Sequence, residues 1–142
     1  MQASIDEYLG LLPKLQHVIK ESGKIILDCY GKKDLHVEIK SDKTPVTAAD
    51  VLAHEYITKE LEKISSYPII SEEDSTLELS RDVDSYWLID PLDGTKNYIA
   101  RNGEFCTNIA LIYKGDPVFG LINVPFFQEL FYAVKQNGAY KE

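Results

Sequence analysis

Phe105-Cys106-Thr107-Asn108-Ile109-Ala110-Leu111-Ile112-Tyr113-Lys114-Gly115-Asp116-Pro117-Val118-Phe119-Gly120-Leu121-Ile122-Asn123-Val124 decides the fold class. Two apolar, β-rich runs flank Lys114-Gly115-Asp116. That connection is too short for a helical crossover, so the two strands must be antiparallel neighbours. A third run, Leu130 to Lys135, follows closely and extends the meander. Upstream, Tyr67-Pro68-Ile69-Ile70-Ser71 and Tyr86-Trp87-Leu88-Ile89-Asp90 read as two more strands, the second of them buried.

The chain before these strands is helical. Ser4-x-x-Glu7 has the form of a capping box. Ile5, Tyr8, Leu12, Leu15, Ile19, Ile26 and Tyr30 then recur at helical spacing, with Gly31 as the stop. Pro13 implies either a kink or a regular helix that begins near it. Val37 and Ile39 suit a short extended piece, and Lys40 to Pro45 an exposed, mobile loop. Thr47 is placed to cap a second helix, about Ala48 to Ser65, with a buried stripe of Ala49, Leu52, Ala53, Tyr56, Leu61 and Ile64. Two helices followed by a mainly antiparallel sheet define an α+β arrangement.

Composition narrows the function. The 142 residues are 44% hydrophobic, which excludes disorder as the main state. A net charge of −8 disfavours nucleic-acid polymers and anionic membranes as partners. No run is long enough to span a membrane, and the N-terminus has no signal-peptide pattern, so a cytoplasmic location is expected. Cys29 and Cys106 read as reduced thiols, Cys106 in the core, and His17, His36 and His54 are not spaced as a metal cluster.

Chemistry concentrates where the Trp87 strand runs into Asp90-Pro91-Leu92-Asp93-Gly94-Thr95-Lys96. Pro91 bends the chain and Gly94 permits a tight turn. Asp90, Asp93 and the Leu92 carbonyl can then face one point, as Mg²⁺ requires of hard oxygen ligands. Alone, the segment reads equally as an Asp-Gly turn after a strand. Ser71-Glu72-Glu73-Asp74 is either a solvated acidic loop or a cation site. Asp50, at the start of the second helix, is either an acid stabilised by the helix dipole or a proton acceptor.

Taken in order, Ile39 to Asp50, Ile70 to Asp74 and Trp87 to Thr95 resemble the motifs of the lithium-sensitive, Mg²⁺-dependent phosphatase superfamily. That group includes inositol monophosphatases, fructose bisphosphatases and 3′(2′),5′-bisphosphate nucleotidases. Lys96 after Asp-Gly-Thr and the segment Asn102 to Ile112 are more similar to the bacterial CysQ-type bisphosphate nucleotidases. So are Gly115 to Val118, Ala133-Val134 and Gly138 to Tyr140. The resemblance covers essentially the whole chain.

The resemblance implies metal ligation by Glu72, Asp90, Asp93 and the Leu92 carbonyl, with two or three Mg²⁺ ions in the complete enzyme. It implies that Thr95 and Asp50 orient and deprotonate the attacking water, and that the Gly94 and Thr95 N–H groups face the phosphate. Lys40 is either solvated or reaches into this site. The implied reaction is hydrolysis of a phosphomonoester by metal-activated water, adenosine 3′,5′-bisphosphate giving AMP and phosphate, without a phosphoenzyme. Inositol monophosphatase or a related sugar phosphatase is the alternative. A haloacid-dehalogenase-type phosphatase would need its nucleophilic Asp where this chain has Pro91.

The same resemblance implies an inositol monophosphatase-like fold in which residues 1–142 form the N-terminal catalytic domain. A second α/β domain, whose Trp-Asp motif completes the metal site, is expected to be absent. The non-enzymatic alternative is therefore a metal- or phosphate-binding half-domain. The candidate partners are a small phosphorylated substrate, the missing domain and a second copy in a homodimer.

Overall fold

Ser4 opens the first helix by accepting a hydrogen bond from the Glu7 amide at 3.2 Å. The computed structural model describes residues 3–42, 45–73 and 83–142. α1 (Ile5–Tyr30) contains Pro13, so the helix begins well before the proline, not at it. Tyr8, Leu15, Val18, Ile19, Ile26 and Cys29 face inward, whereas Ile5, the first residue at helical spacing, lies exposed in the first turn. Gly31 ends the helix in a right-handed conformation, its amide donating to Leu27.

The residues after α1 form a small ribbon, β1 (Glu38–Ile39) antiparallel to β2 (Pro45–Val46). Pro45 thus starts a strand and does not close a loop. α2 (Ala48–Ile64) opens with a reciprocal capping box, Thr47 and Asp50 each bonding the other's backbone N–H. Its buried face is Ala49, Asp50, Ala53, Ile57 and Leu61. Leu52, expected in that stripe, is 44% exposed. The four-residue spacing 49, 53, 57, 61 rotates Leu52 out of the stripe and brings Ile57 in.

β3 (Ile69–Ser71), β4 (Ser85–Asp93), β5 (Cys106–Tyr113), β6 (Asp116–Val124), β7 (Glu129–Val134) and β8 (Ala139–Lys141) form one six-stranded sheet in sequence order. β3 is parallel to β4 and every other pair is antiparallel. Lys114 and Gly115 turn β5 into β6 with positive φ at both residues, the hairpin geometry that matches strand twist. A third helix, α3 (Thr95–Ile99), follows β4. The sequence reading gave two helices, because five residues are too few to show a period. β8 also went unread, being short and wholly exposed.

Both long helices cover one face of the sheet. Leu15, Ile19, Ile57 and Leu61 pack on Trp87, Ile89, Ile109, Leu111 and Leu121, all at most 1% exposed. Each such side chain contributes roughly 1.5–3 kcal/mol by leaving water. The Trp87 indole N–H donates to Ser65 at the end of α2 (2.8 Å), so its polar atom is satisfied within the core. A second cluster of Ile26, Ala49, Ala53, Leu92, Tyr98 and Phe105 lies beneath the end of β4. The opposite face of the sheet has no helical cover among the described residues. There Leu88, Ala110, Gly120, Ala133 and Ala139 form one cross-strand row, and Leu88 and Ile122 are 43% and 45% exposed.

Candidate active site

The end of β4 departs from regular alternation, and that departure builds the site. In the ladder with β5, Asp90 pairs with Asn108 and Asp93 with Cys106, so three steps on one strand match two on the other. This is a β-bulge. In a regular strand, residues three apart point to opposite faces. Here Pro91 and Leu92 are both buried, and Asp90 and Asp93 emerge on the same outer face. The Pro91 carbonyl accepts from the Thr107 hydroxyl (2.8 Å), which satisfies the polar group that the bulge takes from the ladder. β4 therefore runs through the carboxylates and Pro91 instead of ending at Asp90.

Gly94 then adopts a left-handed conformation (φ 88°, ψ 39°) and caps α3. The turn puts the Thr95 hydroxyl 3.1 Å from Asp50 Oδ1 and 3.3 Å from the Leu92 carbonyl. Asp50 is fully buried. Its Oδ2 accepts from the Thr47 amide (2.8 Å) and the Thr47 hydroxyl (2.6 Å). Thr47 thus locks Asp50, and Asp50 in turn holds Thr95.

Glu72 arrives from β3. Its amide donates to the Ile89 carbonyl (3.1 Å), setting this acid beside Asp90. Ser71 Oγ lies 2.8 Å from His54 Nδ1 and accepts from the Glu73 amide, so α2 anchors this turn. His54 is thus a helix-face residue with a structural partner. Asp74, the last acid of that run, lies outside the described residues.

Glu72, Asp90, Leu92, Asp93, Gly94 and Thr95 line one open cleft of about 390 Å³. Lys40 lines it too, with its Nζ 3.9 Å from Glu73 Oε1, so it is directed into the site. Asp50 stands behind this cleft, in contact with it through Thr95. All the candidate residues are brought together.

The sequence reading missed Glu73, whose side chain is only 9% exposed and lies close enough to Asp50 to feel its charge. It also missed Asp42, Lys96 and Asn97 as parts of the wall. The doubled acid at 72–73 was visible as charge, but which member turns inward depends on the turn after β3. Cys106, expected in the core, instead lies half-buried beside the cleft. Its Sγ is 3.9 Å from Asp93 Oδ2, because β5 presents it on the outer face.

The electrostatics follow from Asp50, Glu72, Glu73, Asp90 and Asp93 sharing a partly desolvated space. Burial, then the charge of Asp50, pushes Glu73 from 4.5 to about 7, against the opposing pull of Lys40. Burial, then Asp93, Glu72 and Asp50, pushes Asp90 from 3.8 to about 6. Burial, then Asp93 and Asp90, raises the Cys106 thiol to about 11, so it stays protonated at neutral pH. No three His, Cys, Asp or Glu side chains among the described residues form a ready-made metal cage. The donor set nevertheless suits Mg²⁺. It offers carboxylate oxygens and one backbone carbonyl, a bound Mg²⁺ would keep waters in its remaining positions, and its charge would offset the repulsion that raises Asp90 and Glu73.

A left-handed Asp-Gly turn after a bulged strand, with a buried Asp–Thr pair behind an acidic cleft, makes up the candidate site. Residues 11–142 match the model of the inositol monophosphatase family, and the chain belongs to that family. Among curated relatives it is similar to the 3′(2′),5′-bisphosphate nucleotidase CysQ of Buchnera aphidicola, with 44% identity over 93% of this chain and 51% of that protein. Among solved structures it is similar to CysQ from Bacteroides thetaiotaomicron (TM-score 0.74, 40% identity, 88% of this chain and 46% of that one). It is also similar to the extragenic suppressor protein SuhB from Bartonella henselae (TM-score 0.85, 29% identity, 94% and 52%). The chain spans about half the length of the relatives it matches. Among the described residues, no helix is long and apolar enough to cross a membrane.

Proposed function

We propose that this chain carries the metal-binding and water-activating half of a Mg²⁺-dependent 3′(2′),5′-bisphosphate nucleotidase. Residues 1–142 would act as the N-terminal catalytic domain. The observation that carries the reading is the bulge that turns Asp90 and Asp93 to one face, directly in front of the Thr95–Asp50 pair. The similarity to CysQ proteins supports the nucleotidase over inositol monophosphatase.

Mg²⁺, held by Glu72, Asp90, Asp93 and the Leu92 carbonyl, would neutralise phosphoryl charge and acidify water. The remaining work belongs to the chain. The Thr95 hydroxyl has one proton, and donating it to Asp50 Oδ1 leaves its lone pairs free to accept a hydrogen from water in the cleft. Asp50, with Oδ2 held by Thr47, cannot rotate away from that duty. The Gly94–Thr95 backbone faces the phosphate oxygens, and Lys40 contributes positive charge opposite Glu73. The products are an alcohol and inorganic phosphate, with no covalent intermediate on the protein.

We further propose that the second domain of the longer relatives packs on the outer sheet face. The cleft opens onto that same face, and its row of small residues admits close approach. A thiol introduced by Ile122→Cys should react freely with a labelling reagent in the 142-residue chain and be protected in a chain of the relatives' length. Equal reactivity in both would contradict this docking.

Phosphate release tests the activity. The substrates are adenosine 3′,5′-bisphosphate, inositol 1-phosphate and fructose 1,6-bisphosphate, each with Mg²⁺ and with chelator. Chelator-sensitive release, fastest from adenosine 3′,5′-bisphosphate, is expected once the second domain is supplied. A preference for inositol 1-phosphate would overturn the nucleotidase assignment.

A further inference from the structure

Asn108 is outside the ligand and water-activating sets, yet it is tied to both acidic residues of the bulge. It is the direct cross-strand partner of Asp90, and its side-chain amide donates to Asp93 Oδ2 at 3.3 Å. One residue thus spans the bulge, paired through the backbone with one acid and through its side chain with the other. The neighbouring thiol supports this orientation of the amide. Cys106 Sγ lies 3.6 Å from Asn108 Oδ1 and 3.9 Å from Asp93 Oδ2, and a thiol proton donated to the nearer oxygen leaves the NH₂ group turned toward Asp93. Asp93 is exposed, and no other side-chain amide among the described residues is bonded to it.

We propose that Asn108 is a positioning residue for the metal centre. By holding Asp93 Oδ2 it aims the other carboxylate oxygen at the cation. It also sets the positive end of an amide dipole against Asp93, one of two acids that otherwise repel. Partners of this kind orient ligands without touching the metal, and losing one typically weakens binding about ten- to a hundredfold. The inference rests on the reading that Asp90 and Asp93 hold a divalent ion.

The test is Mn²⁺ binding to the 142-residue chain, followed by the loss of the free-ion paramagnetic resonance signal. Wild type is compared with Asn108→Leu, Asp93→Asn and the double variant, and a thermal midpoint is recorded for each. Asn108→Leu keeps the side-chain volume and removes the donor. It should weaken Mn²⁺ about ten- to a hundredfold in the wild-type background, with a thermal midpoint close to wild type. In the Asp93→Asn background it should have almost no further effect. Wild-type affinity in Asn108→Leu would overturn the proposal. Equal weakening in both backgrounds would overturn it as well, because the effect would not pass through Asp93. Unchanged binding in Asp93→Asn, or no binding by wild type, would instead sink the metal-site reading itself.

Discussion

Asp50 accepts hydrogen bonds from the Thr47 amide, the Thr47 hydroxyl and Thr95 while fully hidden from solvent. It is both the reciprocal partner of a helix cap and the proposed proton acceptor, so stability and function meet in one carboxylate. Asp50→Ala should therefore cost about 1–3 kcal/mol, measured by urea denaturation of the metal-free protein. Asp93 is exposed among like charges, and Asp93→Asn should leave stability unchanged or raise it. If the two variants lost equal stability, this division of roles would be wrong. Asp90→Asn removes a proposed ligand without changing shape. It should weaken Mg²⁺ by more than the ten- to hundredfold typical of an outer-shell partner, and unchanged affinity would remove Asp90 from the site. For single residues the sequence was informative: it pointed to Asp50, Asp90 and Asp93 by position and to Glu72 and Thr95 through the resemblance, and the fold brings all five together. Glu73 was not, because its inward rotation is set by the Ser71–His54 contact, which joins residues far apart in the chain.

Among the elements, β4 and its exit turn carry most of the design. Gly94 occupies a left-handed conformation, and a Cβ there would come within 2.9 Å of the Glu104 carbonyl oxygen. Gly94→Ala combines backbone strain with a steric clash. It should destabilise the protein by about 1–3 kcal/mol and separate Thr95 from Asp50. Calorimetric unfolding checks the first effect, and a thermal midpoint equal to wild type would contradict it. The helices, the meander and the Lys114–Gly115 hairpin could be read from periodicity and turn chemistry. The bulge could not, since it is a mismatch between two strands and appears only when Asp90–Asp93 is set against Cys106–Asn108. The same limit explains Cys106. Its alternation within β5 was visible, but which face of that strand lies against the helices was not.

Across the whole molecule, one face of the sheet is sealed by α1 and α2, and the other carries both the acidic cleft and an apolar surface. The raised acids couple that cleft to folding. Glu73 at about 7 and Asp90 at about 6 lie above their ordinary 4.5 and 3.8. Between these limits the folded chain binds more protons than the unfolded one, so stability falls as pH rises. The metal-free protein should accordingly show its thermal midpoint decreasing from about pH 4.5 to above pH 7 through these two groups. Saturating Mg²⁺ should flatten or reverse that slope, because the cation favours the ionised carboxylates. Thermal unfolding across this range with chelator and with Mg²⁺ measures both, and a midpoint rising with pH in chelator would contradict the clustered-acid picture.

The bulged end of β4 gathers its carboxylates where a divalent cation would neutralise them. The decisive experiment is calorimetric titration of the 142-residue chain with Mg²⁺ near pH 6.5, repeated in two buffers of different ionisation enthalpy. Saturable binding with net proton release is predicted, since Asp90 and Glu73 are partly protonated at that pH, the proposed ligand Asp90 must ionise to bind, and the added charge favours ionised Glu73 beside it. Absence of saturable binding, or binding with no proton release, would contradict it.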